Sequence, residues 1–391
     1  MIDFASLSVT SPNKSHDWKV LAIEAFVCVV GLLVLWPHDA SLFPSGMSDY
    51  TPLAAGARLV GSSGLYSPAA NLIMQKKLTG EEDAARLLTT RLPWVALIWR
   101  PLNHLSYTSG AHLFTGLMLA CLIGFVWTRQ PSERAAAAMS ICWSVPAVSA
   151  ITIGQDVPLL LLLVSAGQRV ICSYPFLSGA LFALASMKWH LILCVPVVLI
   201  VRREWRVLSG FLATGVLLLV VCFAVQGLSW PADYLRVLRR PEIARYPTVM
   251  PNLTGILWRI PNRLYYEIPA SVIVVALLIW SVRKRSSYEA IALALTGSLL
   301  VSQHAYPQDA LMILPAAVSL AASRQPLRIA IGSILLLPIT WMLAFWGRCL
   351  LVLSMIAALL EGTLRRSETV APSAGDGENA GGQQRTAPAR P

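Results

Sequence analysis

The sequence predicts an all-α polytopic membrane protein, a bundle of about ten to twelve transmembrane helices with short surface helices in its first long loop. Three observations carry this. Of 391 residues, 56% are hydrophobic and only 13% charged, whereas a soluble domain averages about 25% charged; the mean hydropathy is +0.62. The apolar residues gather into runs of near-spanning length. The basic residues fall mostly as short clusters between those runs, so the formal net charge of +11 reflects membrane topology and not a nucleic-acid face.

Residues 1–17 are polar and read as a cytoplasmic N-terminus. Val20–Trp36 is the first span, too long for a signal-peptide core and without a small-residue cleavage site. In the loop 37–90, Pro52–Val60 and Pro68–Leu78 have helical spacing, and Thr79-Gly80-Glu81-Glu82 has the form of a capping box opening a third short helix. Leu92–Trp99 is too short and too proline-interrupted to span, and reads as re-entrant or interfacial. Further apolar runs fall near 111–128, 135–150, 157–171, 174–187, 189–201, 207–227, 268–282, 288–302, 309–323 and 327–361, the last being one long helix or two short ones. A second long loop covers 228–267. The transmembrane domain therefore runs 18–363, and the Gly/Ala/Pro/Gln-rich stretch 364–391 is expected to be a disordered cytoplasmic tail. The seven cysteines (28, 121, 142, 172, 194, 222, 349) all lie in or at the ends of apolar runs; they read as small core residues, not as disulfides or zinc ligands.

Orientation follows from the short basic turns. With Lys14 and Lys19 in the cytoplasm, alternation puts Arg129/Arg134, Arg169, Arg202/Arg203/Arg206, Arg283/Lys284/Arg285 and Arg324/Arg328 on the same side. Loop 37–90, Gln155–Asp156, Lys188–His190, loop 228–267 and His304–Asp309 then share the opposite face. Nearly every unusual polar cluster is thus extracytoplasmic.

Several of these clusters could carry chemistry. Asp49, just after the first span, is either a general base toward a sugar hydroxyl or a turn acid capping the helix at Pro52. Lys188 interrupts the apolar stretch 174–201. Two half-length helices, each about 20 Å long against a core of roughly 30 Å, would leave its ammonium in a protein-lined cavity, able to pair with a lipid phosphate. The alternative is an amine snorkelling from one long tilted helix. His190 beside it reads as a substrate ligand or a satisfied polar residue. Gly154-Gln155-Asp156 could bind acceptor hydroxyls or cap the next helix. The polar island Gln303–Asp309, with His304 and Tyr306, could place an imidazole near a phosphate or hydroxyl or be an ordinary polar turn, and Arg100 is a further candidate phosphate ligand. Glu81-Glu82-Asp83 is better explained by helix capping than by a metal, so no metal and no cofactor is expected.

These motifs, in this order and on one face, resemble glycosyltransferase family 87. The carrying residues are Asp49-Tyr50, Ala54-Ala55-Gly56 and Gly61-x-x-Gly64-Leu65-Tyr66 after the first span, Leu92-Pro93 through Arg100-Pro101-Leu102, and Gly154-Gln155. Ser178-Gly179-Ala180 through Met187-Lys188-Trp189, the turn Arg202–Arg206, and Ser302-Gln303-His304-x-Tyr306-x-x-Asp309 complete the set, which covers about residues 18–325. The chain departs from the family pattern at Arg91-Leu92-Pro93, where Tyr-Pro-Pro is usual, and at Asp156-Val157 after Gln155. The resemblance implies a GT-C fold and an α-1,2-mannosyltransferase-like activity using a polyprenyl-phosphate-linked sugar donor. It implies Asp49 as the catalytic base, with Lys188, His304 and Arg100 toward the donor phosphate. Tyr50, Gln155, Asp156, His190 and Tyr306 are then expected to bind substrate. The expected acceptor is an envelope glycolipid or glycan, the expected setting the plasma membrane and its lipids, and nucleic acid is excluded. A secondary transporter, or a lipid-linked-sugar flippase or polymerase, is the alternative. Transporters place their sites at the midplane between repeats, and no repeat is visible here.

Overall fold

The computed structural model describes residues 18–37, 49–80, 87–240 and 246–364. Among them every regular element is helical. The chain opens with α1 (Trp18–Leu35), then α2 (Tyr50–Leu59), α3 (Pro68–Thr79) and the short α4 (Pro93–Trp99). α5 (Tyr107–Thr128) is followed by α6 (Arg134–Cys142) and α7 (Val145–Thr152), two halves bent by 59°. α8 (Val157–Val170) comes next, and then α9 (Pro175–Leu184) and α10 (Cys194–Val201), which flank a 3-10 stretch at Ala185–Leu191. After α11 (Trp205–Gln226), the second loop carries α12 (Trp230–Leu238) and α13 (Leu253–Leu257). α14 (Leu264–Val282) and α15 (Ser287–Val301) follow, and a 3-10 stretch at Pro307–Ile313 leads into α16 (Leu314–Ala321). The chain finishes with α17 (Pro326–Leu336), α18 (Pro338–Met342) and α19 (Ala344–Leu364).

The all-α polytopic architecture is therefore as expected, but the helices are more broken than a run count implies. Among the described residues, α5, α11 and α14 are long and apolar enough to cross a membrane, and α6–α7 makes a fourth if the bent pair is one span. Proline is the reason. It sits at the first or second position of α7, α8, α9, α16, α17 and α18, where its fixed φ starts a helix and its missing N–H ends the one before. The final run is three helices, neither one nor two.

Two local readings change. Thr79 does not open a helix: it ends α3, its hydroxyl bonded back to Gln75 O at 3.1 Å, and Gly80 (φ +75°) closes the helix with its N–H on Lys76 O. The acidic triplet beginning at Glu81 lies outside the described residues, as do the first 17 residues and the tail from 365. α2 is not a surface helix either, since Tyr50 through Ala57 are all buried. The cysteines are free, with Cys121, Cys194 and Cys222 buried as expected but Cys172 exposed.

α15 is the axis of the bundle, buried on every side from Ala290 to Leu300, as a helix that is apolar all round must be. α9 and α11 touch backbone to backbone: a Cβ at Gly179 would stand 1.9 Å from Val207 O, and one at Gly210 2.1 Å from Phe176 O. Only glycine permits that approach.

Four elements join two polar layers. α8 runs from Asp156 to Gln168, α10 from the Lys188 stretch to Arg202, α15 from Ser287 toward His304, and Pro307–Ala321 from Asp309 to Ser319. The fourteen residues of α8 separate its ends by roughly 21 Å. At one end the basic turns interlock. Arg129 bonds Gln168 and Ser319 and pairs with Glu133 at 3.1 Å. Arg202 donates to the carbonyls of Val282 (2.7 Å) and Arg285 (2.6 Å), while Arg285 and Arg328 share Glu289 and Glu361. The other end holds the candidate site, so the division of polar residues between two faces is real geometry.

Candidate active site

Asp49 is placed by its backbone, whose N–H donates to Ile153 O at 2.6 Å. It occupies the residue before α2 but makes no side-chain cap. Its carboxylate turns instead to Gln155, whose Nε2 donates to Asp49 Oδ2. Gln155 reaches there because the tight turn at Gly154 (φ +74°) breaks the chain between α7 and α8, with Gln155 N–H on Ala150 O at 2.8 Å. The other end of the same amide is held from two sides. Gln155 Oε1 accepts from Lys188 Nζ at 2.7 Å and from Arg91 Nη2 at 3.2 Å.

Lys188 sits where the α9–α10 run breaks, with φ −124° and ψ 75°. This conformation takes its side chain out of the helical array and into the bundle. It is 7% exposed, and its ammonium pairs with Asp309 Oδ1 at 2.6 Å. The snorkelling alternative fails, because the amine turns inward and is fully partnered on two sides. So does the picture of an ammonium waiting alone for a phosphate: Asp309 already neutralises it, leaving one of its three N–H donors. Asp309 is fixed in turn by the N–H of Tyr306, which donates to its Oδ2 at 2.9 Å.

Arg91 pairs with the buried Asp156 at 2.7 Å. The two positions where the chain departs from the family pattern are thus in direct contact, and each supplies the charge the other needs. Asp156 therefore does not cap α8 through its side chain. Among the described residues its Oδ2 is buried without a hydrogen-bond partner, and so is His190 Nε2. The His190 and His304 rings lie 5.9 Å apart, and Tyr306 stands edge-on to His304 at 4.9 Å.

Three carboxylates (Asp49, Asp156, Asp309) thus meet two cations (Lys188, Arg91) and two imidazoles. Burial raises the Asp49 carboxyl above its ordinary value, opposed by the Gln155 hydrogen bond and by Lys188 and Arg91. Burial also holds the His304 imidazole below its usual value, so near neutral pH it offers a hydrogen bond and not a charge.

Of the expected residues, the structure gathers Asp49, Gln155, Asp156, Lys188, His190, His304 and Tyr306. Two stand apart. Arg100 is exposed at the start of a 3-10 turn and shares no hydrogen bond or ion pair with this group among the described residues; Arg91 is the arginine that reaches it. Tyr50 is 2% exposed and packs against Tyr107 and Phe114 at 5.5 and 5.2 Å, a core ring and not a substrate contact. Arg91 and Asp309 stand inside the motifs read from the sequence but are not among the expected site residues. The signal for Asp309 is the cost of a buried lysine, which demands an acid from a neighbouring turn.

A family model, glycosyltransferase family 87, matches residues 90–315, more than half of the chain. The chain belongs to glycosyltransferase family 87. No curated protein and no solved structure matches it. As a family 87 glycosyltransferase it needs a sugar donor and an acceptor. The matched segment holds Arg91, Gln155, Asp156, Lys188, His190, His304 and Asp309, while Asp49 lies ahead of it and is joined to the segment through Gln155.

Proposed function

We propose that this glycosyltransferase moves a sugar, mannose by its family resemblance, from a polyprenyl-phosphate donor to an envelope glycolipid or glycan. The reaction takes place on the extracytoplasmic face of the plasma membrane, in a GT-C-type bundle whose basic turns face the cytoplasm. One observation above all supports this: a buried carboxylate, Asp49, is held by Gln155, whose carbonyl end is gripped by Lys188 and Arg91. Asp49 takes the proton of the acceptor hydroxyl as its oxygen attacks the anomeric carbon from the side opposite the phosphate. The new C–O bond forms, the bond to phosphate breaks, its electron pair leaves on the phosphate, and configuration inverts. A carboxyl raised by burial is better matched to this task than an ordinary aspartate, because a base works best when its pKa approaches the operating pH.

The remaining N–H of Lys188 and a donor nitrogen of His304 meet the departing phosphate. A polyprenyl phosphate carries less charge than a nucleoside diphosphate, so these donors suffice without a metal. The test incubates the full-length protein with radiolabelled polyprenyl-phosphate-mannose and an envelope lipid fraction in excess EDTA, beside GDP-mannose with manganese. Label should enter the lipid or glycan fraction from the polyprenyl donor alone. Transfer that needs added metal, or that uses only GDP-mannose, contradicts the proposal.

A further inference from the structure

The basic-turn end of the bundle carries a groove that the transfer reaction does not use. α9 and α11 both begin there, beside the turn in which Arg202 donates to the carbonyls of Val282 and Arg285. Between their first turns lies an open groove of about 460 Å³, lined by Ser173, Tyr174, Phe176, Leu177, Arg206 and Ser209. The close approach of Gly210 to Phe176 O holds its two walls together.

Arg206 is the cation of this groove, and it is available. Its side chain is exposed, and among the described residues its guanidinium has neither a carboxylate partner nor a hydrogen-bond acceptor. The exposed Ser173 hydroxyl is likewise uncommitted among the described residues, whereas Ser209 donates to the backbone oxygen of Arg206 at 2.9 Å. Arg169, in the last turn of α8, and Arg203, just before α11, are also exposed and have no acid partner among the described residues. Acids are scarce in this part of the chain. From 157 to 232 there is one, Glu204, and its carboxylate is turned to Ser287 at 2.6 Å and to Arg202 at 3.6 Å.

The groove therefore carries positive charge without a counterion, and a guanidinium with unspent donors can grip a phosphate with two N–H groups at once. Its remaining walls are apolar and open, with Tyr174, Phe176 and Leu177 exposed by 56%, 55% and 49%. On α11 the row that starts at Ser209 continues at helical spacing to the exposed Leu212 and Val216. Arg206 and Val216 are roughly 15 Å apart along the helix, a wall that suits an acyl chain hanging from a phosphate and that a soluble anion would leave bare. Arginine and tyrosine at the ends of apolar helices sit at the depth of lipid headgroups.

We propose that this groove binds an anionic glycerophospholipid, with Arg206 and the Ser173 hydroxyl on the phosphate, Tyr174 at the interface, and an acyl chain along Leu212 and Val216. Arg169 and Arg203 disfavour a zwitterionic headgroup, whose ammonium they repel. The site is remote from Asp49 and does not rest on the donor assignment. The test is native mass spectrometry of the full-length protein from micelles containing equal phosphatidylglycerol and phosphatidylcholine. The wild type should retain phosphatidylglycerol at least about tenfold over phosphatidylcholine, and Arg206→Gln should lose most of that preference. Arg283→Gln, a change at an exposed arginine of the same basic end but outside the groove, should leave it intact. Equal retention of the two lipids by the wild type overturns the proposal whatever the variants do. A folded Arg206→Gln protein that still prefers phosphatidylglycerol overturns it too, as does an equal loss in Arg283→Gln, which would reduce the effect to general surface charge. Release of the lipid by equimolar inorganic phosphate would mark a bare anion site, and displacement by polyprenyl phosphate would make the groove part of the donor path; either result contradicts the assignment.

Discussion

At the basic-turn end, Arg285 and Arg328 divide Glu289 and Glu361 between them, and Arg129 is wholly enclosed by Glu133, Gln168, Ser319 and the Tyr288 ring. At the other end three carboxylates meet two cations, and Asp156 Oδ2 and His190 Nε2 are left buried with no partner among the described residues. In the first layer each of these arginines has a carboxylate partner, and what is left over among the described residues is donor capacity, the Nε of Arg129, Arg202, Arg285 and Arg328. The second is held just as firmly by Gln155, Lys188 and Arg91, yet it keeps unspent acceptors and an Asp49 carboxyl raised by burial. Both layers leave buried polar atoms unsatisfied, a cost in either place; only in the second do they lie in the same cluster as a carboxyl raised by burial, the combination from which the functional proposal is argued.

Breaking each layer in turn sharpens the contrast. Asp49→Asn should have the largest effect on rate, a loss of about 10²–10⁴-fold, the usual worth of a general base, with an unchanged melting temperature. Glu361→Gln should do the opposite. It leaves Arg285 and Arg328 with Glu289 as their one carboxylate among the described residues, which costs up to about 3 kcal/mol, so the melting temperature falls while the rate per folded molecule is kept. Comparing thermal melts and initial rates on the same preparations checks both. A rate defect in Glu361→Gln equal to that of Asp49→Asn would erase the distinction between the layers.

Lys188→Met should reduce transfer by at least about tenfold, since it removes a buried cation from both Asp309 and the leaving phosphate. Lys188→Arg should recover only part, because a planar guanidinium does not reproduce a compact ammonium. Arg91→Lys should have the smallest effect, a few-fold, because an ammonium can still reach Asp156 but not Gln155 as well. Steady-state kinetics with a fixed polyprenyl donor rank the three.

Much of this was legible from residues alone, because the physics is one-dimensional. Short basic turns alternate with turns of other polar residues, and the structure reproduces that division, with Arg129, Arg202, Arg285 and Arg328 at one end and Gln155, Lys188 and Asp309 at the other. Lys188 stood out since a lysine in an apolar run is expensive wherever it points. Its partner did not, because Asp156 and Asp309 lie in different outer turns and only the packing of Pro307–Ile313 against α7 and α8 chooses between them. Arg91 was hidden for the same reason: its pairing with Asp156 spans 65 positions. Tyr50 misled because it adjoins Asp49, yet the first turn of α2 points successive side chains about 100° apart, sending the carboxylate to Gln155 and the ring to Phe114. Where the apolar runs break into shorter helices was not legible, because prolines inside those runs start new helices without changing the hydropathy.

The central claim is that Asp49 is the titrating base, its carboxyl raised by burial and held back by Gln155 and the neighbouring cations. The pH dependence of kcat/KM for the wild type and Lys188→Met tests it most directly. Burial raises the Asp49 carboxyl, and the base acts only when deprotonated, so the rate should fall on an acid limb placed above the ordinary aspartate value of 3.8. Lys188 opposes that rise, so its removal should move the limb to still higher pH. An acid limb that stays in place when Lys188 is removed, or one that persists in Asp49→Asn, would contradict the account.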